Sequence, residues 1–286
     1  MDMSRGKEAI QQILAFYQKL GRPLTAIEIG RATNNTPFDE VLRELDILVN
    51  NGAIYEKDGF YSLTKELGKF SPRLNQDFLL DLKWKKLSHY ARLFRHVPFI
   101  EFALASGSMA LGNVAPLSDF DVLVGVRDGR MFISRYCLLA LFSLFRMRRP
   151  DDKKASPNRF CFNHFVTENA FAKPPYNTYR QELYRNLVPI WGKQETLKRF
   201  FKATASWSGS VTNVPNTERY VGGKPSLFRR TLEWTLSGII GDQLEKFVAG
   251  IAKRRLERYV KNHPVNGRAV VSDAELEFHF SLPYEK

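Results

Sequence analysis

The chain has 286 residues, 44% hydrophobic and 13% aromatic, which excludes a disordered polymer and leaves room for about two domains. It carries 43 Lys and Arg against 30 Asp and Glu, a net charge of +13, so the expected partners are anionic: nucleic acid, nucleotides or acidic lipid. The most apolar run, Tyr136–Phe145, is about half the length a helix needs to cross a bilayer, so no membrane span is expected.

The mixed-charge N-terminus has no secretory core, and Cys137 and Cys161 sit among apolar neighbours without metal-type spacing. Both are expected to be reduced core residues of a cytoplasmic protein. His89, His96, His164, His263 and His279 form no compact metal-ligand pattern. The basic cluster Arg146, Arg148 and Arg149 leaves a membrane-surface role open.

The spacing of Ile10, Ile13, Leu14 and Tyr17 predicts a helix over 7–20, ended by Gly21 and Pro23. Thr25 is placed to cap a second helix over 26–32, and Thr36-Pro37 to start a third running to about Asn50. Phe38, Val41, Leu42, Leu45, Leu48 and Val49 form its apolar stripe. Two short strands around Asp58-Gly59 complete a winged-helix pattern over 1–65. The third helix carries Asp39, Glu40, Glu44 and Asp46 against Arg43 alone, a net of −3 that phosphate would repel. The winged helix is therefore expected to contact protein or self-associate rather than read DNA.

A basic connecting helix is predicted within 66–98, spanning about 75–96. A small α/β core over 99–175 follows, with a strand at 99–105, a turn and short helix at 107–112, a strand at 120–126, a helix at 131–147 and a strand at 159–167. Residues 176–286 read as a helical C-terminal region, with helices at about 178–202 and 227–261, a flexible loop near 205–225 and a terminal strand in the alternating tail. The expected class is α+β.

Within the core, Asp119 and Asp121 sit two apart in an apolar run, so on a strand both carboxylates leave one face. Like charges that close raise one carboxyl's pKa unless a cation stands between them, and hard oxygen donors suit Mg²⁺ or Mn²⁺. Upstream, Gly107-Ser108 ends a strand and opens a helix, a geometry that offers backbone N–H groups to phosphate.

Gly107-Ser108, Ala110, Gly112 and Ser118-Asp119-Phe120-Asp121 together resemble the signature of the DNA polymerase beta superfamily of nucleotidyltransferases, most closely its minimal members. The resemblance covers about Phe99–Thr167. It implies that Asp119 and Asp121 bind two Mg²⁺ ions, that Gly107 and Ser108 hold the phosphates of a nucleoside triphosphate such as ATP, and that Ser118 assists. A nucleoside monophosphate would pass to a hydroxyl on RNA, protein or a small molecule. The family usually adds a third carboxylate on the next strand, and here that position falls on Asn163 or His164, with Glu168 at the strand's end. Two readings stay open: an enzyme with a modified site, or a catalytically weakened nucleotide-binding or DNA-binding regulator of the same fold.

Positive charge concentrates in 65–95 and 222–262, each with a net of +5, which suggests an RNA or other polyanionic acceptor. Trp84 and Trp234 lie in these segments and are candidates either for base stacking or for core packing.

Overall fold

The computed structural model describes residues 3–33, 36–66, 70–150, 156–174, 177–208, 219–262 and 267–279. They form a mixed α+β protein of two compact units. The first takes in the chain up to Asp81 together with Gly112–Ala115, and the second the other described residues. Among the described residues no helix is long and apolar enough to cross a membrane.

In the first unit, α1 (Met3–Lys19), α2 (Ala26–Ala32) and α3 (Phe38–Asn50) enclose a core of Ile10, Leu14, Ile29, Val41, Leu45 and Leu48. Thr25 caps α2 in a reciprocal box: its hydroxyl accepts the Glu28 N–H, and Glu28 Oε2 accepts the Thr25 N–H at 2.8 Å. Thr36 does not cap α3 as expected; its hydroxyl turns back to the Thr33 carbonyl, and the helix starts uncapped at Phe38. Strands β1 (Leu24–Thr25), β2 (Tyr55–Lys57) and β3 (Phe60–Ser62) pair in the order β1-β3-β2, a winged-helix arrangement. Asp58 and Gly59, at φ 55° and 82°, supply the two left-handed residues of the tight hairpin turn.

Helix α4 (Phe70–Ala91) begins five residues earlier than the sequence suggested, with Pro72 tolerated in its first turn, and runs into a 3₁₀ turn at Arg92–His96. The second unit is built on one six-stranded sheet. In chain order come β4 (Ile100–Ala105), α5 (Gly107–Leu111), β5 (Phe120–Val126), α6 (Met131–Leu144) and β6 (Phe160–Val166). After them stand α7 (Thr178–Arg185), β7 (Val188–Gly192), α8 (Gln194–Ser208), α9 (Leu227–Thr235), α10 (Ile239–Lys261), β8 (Arg268–Val271) and β9 (Glu275–His279). The sheet order is β7-β4-β5-β6-β9-β8, with β5 and β6 parallel and every other pair antiparallel. Phe94, Phe142, Phe160 and Phe162 pack together, and Phe102, Phe171 and Phe200 form a second aromatic group.

The C-terminal region is thus less helical than expected. Half of the sheet's strands, β7, β8 and β9, lie within 176–286. Pro189 forces extended backbone onto its predecessor, and Val188–Gly192 pairs with β4 where one continuous helix was anticipated. The long helix over 227–261 is broken at Leu236–Gly238 into α9 and α10. Of the loop near 205–225, residues 209–218 lie outside the described residues, as do 280–286 of the tail.

Three cations counted as surface charge are interior. Arg73 is buried against Glu28, Asp77 and the Pro23 carbonyl. Arg229 lies over the Trp191 ring and bonds Glu233 and the Ile100 carbonyl, and Lys83 is enclosed as described below. Trp84 is buried, whereas Trp234 is 81% exposed.

Candidate active site

The end of β4, the start of β5 and the start of β6 meet at one point of the sheet. Ser106 N–H donates to the Asp121 carbonyl, drawing the Gly107 turn onto β5. Gly107 has φ 56°, and a Cβ there would stand 3.0 Å from the Asp121 Cβ and Cγ and closer still to Oδ2. Glycine is required because the Asp121 carboxylate lies where a side chain would go. Ser108 follows in the first turn of α5, half-buried, and Gly112 closes that helix at φ 74°.

Asp119 precedes β5 and Asp121 lies within it. Their carboxylate oxygens and the Cys161 Sγ all fall within 4.8 Å of one another. Burial pushes the Asp121 carboxyl up to about 7 and the Asp119 charge adds to this, against Arg149 and hydrogen bonds from Cys161 and Asn163. Burial and the two aspartates hold the Cys161 thiol well above its usual range, so it keeps its proton. Arg149 Nη1 stands 2.6 Å from Asp119 Oδ2 and 3.5 Å from Cys161 Sγ. This arginine belongs to the cluster first considered for a membrane surface, and its guanidinium faces the carboxylates instead.

Ser118 leads into the pair through its backbone: its carbonyl accepts Lys83 Nζ at 2.7 Å and the Asn158 N–H. Lys83 Nζ also reaches the Pro116 carbonyl and Asn158 Oδ1, both at 3.2 Å, so one buried ammonium holds the whole approach to Asp119. Burial lowers its pKa, and the neighbouring Lys86 charge works in the same direction.

The third-carboxylate position resolves onto a β-bulge. Asp121 pairs with Cys161 but Leu123 pairs with His164, so β6 has one residue more than β5 over this stretch. The bulge separates the directions of Asn163 and His164. Asn163 Nδ2 lies 3.4 Å from Asp121 Oδ1 and 3.1 Å from His279 Nε2. His279 Nδ1 in turn is 3.0 Å from Glu277 Oε1. With the His279 proton on Nδ1, every link has a donor: histidine to Glu277, then the asparagine amide to His279 and to Asp121. Glu168 is not the missing group, since it lies past the end of β6 and pairs with Arg199 at 2.8 Å. Among the described residues, no third carboxylate joins Asp119 and Asp121.

His164 points into a different cluster, with Glu275 and Glu277. Arg180 and Arg268 already balance these two glutamates, at 2.5 Å and 2.8 Å from Glu277, so this is a self-neutralised ion network with no charge deficit for a metal to fill.

At the candidate site the donor set does fit a hard divalent cation. Asp119 and Asp121 offer oxygens at one point, while the protonated thiol and the amide donor beside them are poor ligands. A pocket of about 730 Å³ opens alongside, sharing Arg149, Cys161 and Asn163 with the site.

Sequence reasoning named Gly107, Asp119 and Asp121, and the structure brings the three to one point. It missed Lys83, Arg149, His279 and Glu277, whose nearest sequence signals were a basic helix, a basic loop and an alternating tail. Compared with models of protein families, with curated proteins and with solved structures, the chain matches none.

Proposed function

We propose that the protein is a metal-dependent nucleotidyltransferase that moves a nucleoside monophosphate from a nucleoside triphosphate to a hydroxyl acceptor. The observation that carries this reading is the convergence of Asp119 and Asp121 on a Gly107 turn that has no room for a side chain. Asp119 and Asp121 would hold Mg²⁺ or Mn²⁺, which when bound neutralises triphosphate charge and makes the acceptor oxygen a better nucleophile.

The chain's own residues do the rest. Gly107 and Ser108 seat the phosphates beside the carboxylates. Lys83, through the Ser118 carbonyl, fixes the turn that presents Asp119. Asn163, oriented by His279, keeps the Asp121 carboxylate in register. The acceptor oxygen attacks the α-phosphorus, the bond from that phosphorus to the bridging oxygen breaks, pyrophosphate leaves, and the hydroxyl proton passes to water. Cys137 and Cys161 are both free thiols, which accords with a cytoplasmic setting for this chemistry.

The test is transfer of label from ATP, CTP, GTP or UTP to RNA or cell extract with Mg²⁺ or Mn²⁺. Asp119→Asn with Asp121→Asn should reduce transfer by at least a hundredfold with the fold intact by circular dichroism. Nucleotide binding without transfer under every condition would instead favour a catalytically weakened, nucleotide-responsive regulator. The specific observation behind that second reading is Arg149 on Asp119 where the family would have a metal and a third acid.

A further inference from the structure

The pocket beside the carboxylates is walled by α6, the segment that follows it, β6, α10 and β9. Arg135, Arg148, Arg149, Arg255 and Arg258 all line it, and no Asp or Glu does among the described residues. Arg149 also meets Asp119 of the site. Five guanidiniums around about 730 Å³ make a strongly positive cavity, and guanidinium forks match phosphate oxygens two at a time. Tyr136, Tyr259 and Phe278 add ring surfaces to the same wall. The Arg135 guanidinium already lies against the Tyr136, Phe165 and Phe278 rings.

We propose that this pocket binds the terminal nucleotides of a single-stranded nucleic acid and delivers its end hydroxyl to Asp119 and Asp121. Basic walls interleaved with aromatic rings are what a flexible phosphodiester strand needs, phosphates on the guanidiniums and bases on the rings. The cationic row continues along α10 past the pocket, through Arg254, Arg258 and Lys261 at helical spacing, so more than one phosphate is accommodated. The pocket reaches the site through Arg149, Cys161 and Asn163, and among the described residues neither the carboxylates nor the Gly107-Ser108 turn lines it. The destination of the hydroxyl rests on the transferase reading; the binding of the strand does not.

The experiment is fluorescence anisotropy of the full chain with a fluorescein-labelled single-stranded 12-mer, as RNA and as DNA, without nucleotide or divalent metal. Saturable binding is expected to at least one of the two, and the pair of probes tells which sugar is preferred. Arg255→Ala with Arg258→Ala, both exposed, should weaken it by at least tenfold and lower the salt slope by about 1.4, two single-strand phosphates' worth. Arg230→Ala with Lys246→Ala removes the same charge away from the pocket and should change affinity by less than threefold. Asp119→Asn with Asp121→Asn should leave strand binding intact even though transfer is lost. No binding of either strand at 50 mM salt would overturn the proposal. So would equal losses in the two double variants, or competition by AMP at the same concentration as the oligonucleotide, which would mark a mononucleotide pocket. A strand that binds as described while no label is ever transferred would remove the transferase reading and leave this one standing.

Discussion

At the scale of single residues, position in the structure separates charges that composition counts as equal. Lys83, Lys85 and Lys86 are near neighbours on α4, yet Lys83 is 2% exposed while the other two lie in solvent. Lys83 gives its ammonium protons to two backbone carbonyls and an asparagine side chain in the loops around Asp119. Removing it takes a hydrogen bond from three part-buried acceptors at once, each worth roughly 1 kcal/mol, although the Ser118 carbonyl keeps the Asn158 N–H. Lys83→Met should therefore cost about 2–4 kcal/mol in urea unfolding. Lys85→Met and Lys86→Met should stay within about 0.5 kcal/mol. Equal midpoints for all three variants would show that the Lys83 hydrogen bonds do not anchor this loop. Gly107 makes the same point from the other direction: its use is the space it leaves for a neighbour's carboxylate, which a sequence pattern records only as a glycine.

At the scale of elements, α10 shows why helical periodicity alone misassigns faces. Ile240, Leu244, Phe247 and Ile251 recur at helical spacing and would be taken as the buried stripe, but all four are exposed. The buried positions are Gly241, Ala249 and Ala252, small residues that let the helix approach closely, together with Leu256 and one carboxylate, Glu245. Glu245 Oε1 accepts the Phe132 N–H at 2.7 Å and Oε2 the Ile133 N–H at 2.9 Å, so it caps α6, which has no cap of its own. Glu245→Ala should cost about 2 kcal/mol, whereas Phe247→Ser should cost under about 0.5 kcal/mol, read from urea midpoints. A larger loss for Phe247→Ser would mean that its ring is covered in solution. Elements whose signals are local were legible in the sequence: α1 to α3, the Asp58-Gly59 hairpin, and β4, β5 and β6 with their dense apolar runs. Strand β7 was not, because the Pro189 segment gains its structure only by pairing with β4, far off in the chain. The bulge in β6 was invisible for the same reason, since register is a property of two strands. The carboxylate pair was legible because two acids in an apolar strand are anomalous, while its supports, Lys83 and His279, look ordinary outside the fold.

At the scale of the whole second unit, the edge of the sheet and the candidate site are joined by one hydrogen-bonded chain, Arg268 and Arg180 to Glu277, then His279, Asn163 and Asp121. Its buried end sets how the fold responds to acid. Burial lowers the His164 pKa to about 4, with Arg180 acting in the same direction, from an ordinary 6.5. Between those values the unfolded chain takes up a proton that the folded chain refuses, so this contribution to stability is complete above about pH 6.5 and is lost as pH falls toward 4. Burial alone would raise the Glu277 pKa, but the His279 hydrogen bond and the charges of His164 and Arg180 outweigh it and hold the carboxylate far below its usual range. Its contribution is present above the ordinary glutamate pKa and disappears only in stronger acid. Asp121, held up near 7, takes its proton in the folded chain first and so works the other way over the same range. The His164 contribution, on the order of 1–3 kcal/mol, is therefore read as the difference between wild type and a variant that cannot titrate there, and the Glu277 loss follows in stronger acid. Urea unfolding of wild type and of His164→Gln, which cannot titrate, at pH 7, 5.5 and 4.5 measures that difference: stability should fall further with acid in the wild type than in the variant. An unchanged slope in that variant would assign the acid sensitivity to another group.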